Sequence, residues 1–208
     1  HYDIIFSSTG AITSLIDKRV SPPRQVASGL LNDIILYDDI PFYWDAWDIM
    51  PYHLQTGTSI HTITTSSSFE CTNGEGWVEM MFKLQGWSDV SWLEMQIRLY
   101  EASPLVEFNM RVEWHENRKL LKVEFPVTVR SPTASYEIQF GLVNRPTHSN
   151  HATDAAMLEV CGHRFADISE SGYGVMLITD CKYGYSCRES TLCASLLRSP
   201  KAPDADCD

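Results

Sequence analysis

The chain has 208 residues, 44% of them hydrophobic, and a formal net charge of −11. That length supports one large domain or two small ones with a substantial core, and the negative field disfavours phosphate backbones and anionic membranes as partners. No apolar run reaches the roughly 18 residues of a membrane span, and the start HYDIIFSSTG lacks the basic, apolar and small-residue regions of a signal peptide.

Along the chain the dominant period is two. Short strands are predicted at 3–6 and 11–16 about the turn Ser7-Ser8-Thr9-Gly10, and another at 77–84. Leu93, Met95, Ile97 and Leu99 alternate with polar residues, and Ser103-Pro104 turns that strand toward the next. Val106, Phe108, Met110, Val112 and Trp114 continue the pattern, the polar break 115–118 follows, and Leu121, Val123 and Phe125 resume it. This predicts a hairpin, so that three antiparallel strands lie side by side. Further strands are expected at 136–142 and 174–179, whereas the polar tract 57–68 reads as a solvated strand or loop. With no comparable helical period, the expected fold is all-β, a large antiparallel sandwich occupying 1–208 as a single domain. The end from Pro200 to Asp208 carries no strand signal and reads as cut rather than finished, which would leave a sheet edge in need of a partner.

Six cysteines, at 71, 161, 181, 187, 193 and 207, form no C-x-x-C pair and no Cys/His zinc spacing. They are expected to be reduced and mostly buried, which favours a reducing compartment, although Cys181, Cys187 and Cys193 are close enough in sequence to pair in a hairpin.

One stretch stands apart. Phe42-Tyr43-Trp44-Asp45-Ala46-Trp47-Asp48 places four aromatic rings and two carboxylates in seven residues. Aromatic faces stack on the C–H face of a sugar and carboxylates bond its hydroxyls, so carbohydrate contact is one reading. The other is a strand end with core rings and turn-capping aspartates.

Several segments, in order, resemble glycoside hydrolase family 38, the α-mannosidases, and specifically the non-catalytic C-terminal β region of its cytosolic and fungal vacuolar branch. They are the run GAITSLID from Gly10, FYWDAWD with Tyr52-His53-Leu54 after it, RVEWHE from Arg111, LKVEFP from Leu121, YEIQFG from Tyr136, Arg145-Pro146-Thr147-His148, and LLRSPKAPD from Leu196. The resemblance implies a supersandwich like that of galactose mutarotase and a parent enzyme that hydrolyses terminal α-mannosides with retention, using two carboxylates and a zinc ion. It places those groups in an N-terminal catalytic domain, so no catalytic or metal residue is expected here. His1-Tyr2-Asp3 fits the zinc motif's His-x-Asp only formally, without its flanks.

By the same resemblance this region closes over the cleft and lends substrate contacts. Tyr43 is the first candidate, as a phenol bonding a mannose hydroxyl. Trp44 and Trp47 would supply stacking faces, and Asp45 and Asp48 would accept hydroxyl hydrogens or brace neighbours. Arg198, in the Leu197-Arg198-Ser199-Pro200 loop, would be a donor to the sugar or pair with Asp204 or Asp206. Arg145-Pro146-Thr147-His148 reads as a turn or domain contact. The implied partners are the N-terminal domain of the same enzyme and mannose-containing oligosaccharides, with oligomerisation possible, no nucleic acid or membrane, and a cytoplasmic or vacuolar location. Competing readings are a stand-alone carbohydrate-binding sandwich and a pseudo-subunit docking on a full-length mannosidase through an unpaired edge.

Overall fold

The computed structural model describes residues 1–201. The chain forms two compact units, His1–Asp33 with Ser59–Glu116, and Ile34–Thr58 with the chain from Asn117 on. Both are built from antiparallel strands, and the helices among the described residues are single turns at Pro51–Gln55, Ile60–Ile63 and Ala152–Ala156. The all-β antiparallel architecture that the alternation predicts is the one observed.

In the first unit, Ser66–Gly74, Trp77–Gln85, Trp92–Tyr100 and Val106–Glu113 form a four-stranded meander. Its register follows from alternation: Leu93, Met95 and Ile97 are all 0% exposed, while their neighbours Glu94, Gln96 and Arg98 stay accessible. Each of those three apolar side chains contributes about 1.5–3 kcal/mol by leaving water. A three-stranded sheet of Tyr2–Phe6, Ile12–Asp17 and Arg24–Gln25 supplies the opposing side chains, with Phe6 and Phe82 ring centroids 6.3 Å apart. Gly10, at φ +87°, turns the first hairpin against this core, and a Cβ there would stand 2.5 Å from the Met95 methyl carbon and 2.8 Å from the Phe82 ring. His61 ties the unit together, its two ring nitrogens lying 3.1 Å from the Thr9 carbonyl and 2.9 Å from the Asn32 carbonyl.

The second unit packs two sheets. One carries, in order, Val160–Cys161, Gly184–Arg188, Thr191–Arg198, Lys119–Pro126, Asp33–Asp38 and Thr58–Ser59; the other is Gly141–Pro146, Thr133–Ile138, Phe165–Glu170 and Tyr173–Ile178. Between them lie Leu121, Val123, Tyr185, Leu192 and Ala194 from the first sheet and Ala134, Tyr136, Ala166 and Ile168 from the second, all buried. Tyr136 and Tyr185 meet at 6.3 Å. The other face of the larger sheet carries buried polar groups. Lys122 is 2% exposed and pairs with Glu159, which also accepts from Ser195 Oγ at 2.6 Å, and the Tyr37 hydroxyl donates to Glu124 at 2.5 Å. Burial is the largest single influence on the Lys122 ammonium and lowers its pKa, but Glu159, together with Cys193 and Glu124, tips the balance and the pKa is raised.

Three expectations about the strands are corrected, and one about the cysteines. Lys119–Pro126 does not return beside Val106–Glu113; it pairs with Thr191–Arg198 in the second unit. The break at 115–118 is not a hairpin turn, because Glu116 accepts hydrogen bonds from Ser88 and Ser91 while Arg118, at φ 51°, sends its N–H to the Ser199 carbonyl. The predicted strand 136–142 is instead the junction of two, Thr133–Ile138 and Gly141–Pro146, joined by a turn in which Phe140 takes φ 59°. The cysteines are free at the five described positions, as expected, but only Cys187 and Cys193 are buried; Cys71, Cys161 and Cys181 are exposed. Burial pushes the thiols of Cys187 and Cys193 up to about 12, which leaves them unreactive.

Candidate functional site

The FYWDAWD segment follows the strand Asp33–Asp38 and precedes the turn Pro51–Gln55. It is a loop rather than a strand end. Its rings point outward: Phe42 is 75% exposed, Tyr43 78%, Trp44 57% and Trp47 81%. Isolated exposed aromatics are ordinary, but a contiguous set on one loop is an apolar patch of the sort that marks a contact site. Trp44 and Trp47 lie 6.3 Å apart at 46°, so their faces open on one region without stacking on each other, and Phe42 meets Tyr52 edge-on at 5.8 Å.

What holds such a loop is charge beneath it. Arg198, at the end of Thr191–Arg198, sends Nε to Asp39 Oδ2 at 2.5 Å and Nη2 to Asp39 Oδ1 at 3.1 Å. The same Nη2 donates to the main-chain carbonyls of Asp45 at 2.8 Å and Asp48 at 2.5 Å. One planar guanidinium therefore joins a 1% exposed carboxylate to two points of the loop. The Asp45 side chain, also 1% exposed, turns inward with Oδ2 3.0 Å from Arg118 Nε. Asp39 closes the arrangement by donating its main-chain N–H to the Arg118 carbonyl at 2.8 Å. Trp44 adopts φ 58° and accepts from the Trp47 N–H at 2.8 Å. A left-handed backbone is costly for so bulky a residue, and it persists here because the carbonyls of Asp45 and Asp48, which follow it, are fixed by Arg198.

The expected site residues thus divide. Tyr43, Trp44 and Trp47 are presented to solvent, and so is Asp48, whose Oδ1 caps the following N–H at 2.8 Å. Asp45 takes the bracing role among the two expected for it. Arg198 spends its observed hydrogen bonds on Asp39 and the loop; pairing with Asp204 or Asp206 falls outside the described residues. Sequence reading missed Asp39 and Arg118, which it left unassigned. Neither carried a local signal: Asp39 meets Arg198 only through the sheet in which Lys119–Pro126 lies between Asp33–Asp38 and Thr191–Arg198.

Among the described residues no group of three or more His, Cys, Asp or Glu could hold a metal ion. At His1-Tyr2-Asp3, the Asp3 carboxylate is engaged by Lys18 at 2.5 Å and the His1 ring lies beside Tyr2. The zinc ion of the resembling family does not fit these residues. No helix of the described chain is long and apolar enough to cross a membrane.

The described residues thus form an antiparallel all-β fold that carries a clamped aromatic loop. Residues 1–206 match the glycosyl hydrolases family 38 C-terminal domain, and the chain belongs to that family. It is 47% identical over 206 residues to human alpha-mannosidase 2C1, covering 96% of this chain and 19% of that protein. It is 37% identical over 219 residues to an alpha-mannosidase of Saccharomyces cerevisiae, covering 99% of this chain and 20% of that protein. The chain therefore spans about a fifth of the curated relatives it matches. In fold it is similar to the crystal structure of an alpha-mannosidase from Enterococcus faecalis V583, with a TM-score of 0.72 over 94% of this chain and 24% of that one, at 13% identity.

Proposed function

We propose that the chain is the C-terminal β region of a retaining α-mannosidase acting on terminal α-mannosides, and that the loop 42–48 borders its cleft and contacts mannose-containing oligosaccharides. The catalytic carboxylates and the zinc ion belong, on this reading, to an N-terminal domain of the same enzyme, so the region is a scaffold and cleft wall without chemistry of its own. The observation that carries the proposal is the clamped loop: four aromatic side chains 57–81% exposed on a backbone fixed by Arg198, itself paired with the buried carboxylate of Asp39. Rings held out in water without a partner are a liability, and pre-ordering them lowers the cost of engaging a ligand. Free thiols at the described cysteines accord with a cytoplasmic or vacuolar enzyme better than with a disulfide-stabilised secreted one.

The test is Tyr43→Phe in the full-length enzyme. The phenol is exposed and no hydrogen bond to another described residue holds it, so its loss should leave the thermal midpoint unchanged. A hydrogen bond to a sugar hydroxyl is worth about 0.5–1.5 kcal/mol, which predicts a roughly 2- to 13-fold fall in kcat/KM on an oligomannoside. Unaltered kinetics in this variant and in Trp44→Ala would remove the loop from the cleft.

A further inference from the structure

The distinctive run Arg145-Pro146-Thr147-His148 lies away from the aromatic loop and builds a pocket of its own. Its first two residues end the edge strand Gly141–Pro146, where the Arg145 guanidinium lies 5.5 Å from the Tyr136 ring centre and sends Nη2 to the Cys161 carbonyl at 3.1 Å. The turn that follows is pinned on both sides: Thr147 Oγ1 donates to the Ser131 carbonyl at 2.6 Å, and the Thr147 carbonyl accepts the Glu189 N–H at 2.6 Å. That second bond brings the end of Gly184–Arg188 alongside, and Arg188 Nη1 reaches Ser149 Oγ at 3.5 Å. Arg145 and Arg188 therefore line the same cavity, of about 20 Å³, with Thr147, His148 and Ser149.

Two donors on the arginines that line this pocket have no acceptor among the described residues. They are Arg145 Nε and Arg188 Nη2, both shut off from solvent. A shielded guanidinium N–H without an acceptor is costly, and two at one cavity call for a single acceptor that serves both. Charge points the same way. Among the lining residues only Asp154 is acidic, and it faces His148 Nδ1 at 3.6 Å, so two guanidiniums stand against one carboxylate. One positive charge is in excess. The volume admits one water-sized sphere, too small for phosphate or sulfate.

We propose that this pocket is a binding site for one small monovalent inorganic anion of chloride size, held by Arg145 and Arg188 and fixing the Arg145-to-His148 turn to the end of Gly184–Arg188. An anion bound only by the folded chain raises stability with its concentration, whereas a water in the same place gives no dependence on which salt is present.

The experiment is the unfolding midpoint of the full-length protein in sodium gluconate, chloride and bromide at matched ionic strength. Chloride and bromide are expected to raise it by about 2–4 °C over gluconate, saturating in the millimolar range, and Arg188→Met is expected to abolish the increment. Equal midpoints in the three salts, or an increment that survives in Arg188→Met, would overturn the site. Should that variant fail to fold, wild-type crystals soaked in bromide decide the matter: an anomalous peak in hydrogen-bonding range of both guanidiniums supports the proposal, and its absence, or a peak without a stabilising increment, refutes it.

Discussion

Arg198→Ala is expected to lower the stability of the chain by about 3–5 kcal/mol, because it leaves Asp39 as a buried carboxylate without its cation. For a chain of this size that corresponds to a fall in midpoint of roughly 6–20 °C, read by differential scanning calorimetry. The loss should not be confined to stability. With the carbonyls of Asp45 and Asp48 released, the loop gives up its fixed conformation, so turnover of the parent enzyme on oligomannosides should fall even at temperatures where the variant is fully folded. Arg198→Lys separates the contributions: an ammonium restores a charge beside Asp39 but cannot span the carboxylate and both carbonyls, so it should recover part of the stability and little of the activity. If Arg198→Lys recovers both alike, the fork geometry is irrelevant.

Trp47→Ala should do the reverse. At 81% exposure the indole supports no core, so the midpoint should move by no more than about 0.5 kcal/mol in equivalent stability. Loss of a large aromatic contact surface at a binding hot spot costs about 2 kcal/mol, so affinity for an oligomannoside should weaken roughly 30-fold, visible in KM or by calorimetric titration. Phe140→Ser, at a residue fully exposed on the turn between two strands outside the loop, is the control and should change neither quantity. Equal effects of the two substitutions would mean that the loop has no privileged relation to the sugar.

How legible these features were in the sequence varied with their physics. Trp92–Tyr100 and Val106–Glu113 were found because one face of each is apolar and the other wet, which writes period two into the chain. Asp33–Asp38 was missed because Ile34, Ile35 and Tyr37 are all buried, so the strand offers no wet side to alternate against. Gly184–Arg188 and Thr191–Arg198 escaped for a related reason: their polar residues Ser186 and Ser195 are consumed by Lys122 and Glu159. Period two identifies a strand but not its neighbour, and that is why Lys119–Pro126 was assigned to the wrong sheet. The aromatic cluster was legible as composition, but Asp39, Arg118 and Arg198 are distant in sequence and become one clamp only through the pairing of Lys119–Pro126 with Thr191–Arg198.

The two interior imidazoles set a limit on the acidity at which the chain keeps its structure. His53, 1% exposed, has Nδ1 2.8 Å from the Met50 carbonyl and no described acceptor at Nε2; burial holds its pKa below the usual histidine value. Burial does the same to His61, against the opposing pull of its two carbonyls. In the unfolded chain both imidazoles titrate near 6.5, so as the pH falls through that value the unfolded state takes up protons that the folded state refuses. Their contribution to stability is present in full above the unfolded pKa and drains away below it, levelling off once the pH has passed the lowered folded values. Acid thus acts as a denaturant with two specific addressees, and a compartment near neutrality leaves both silent.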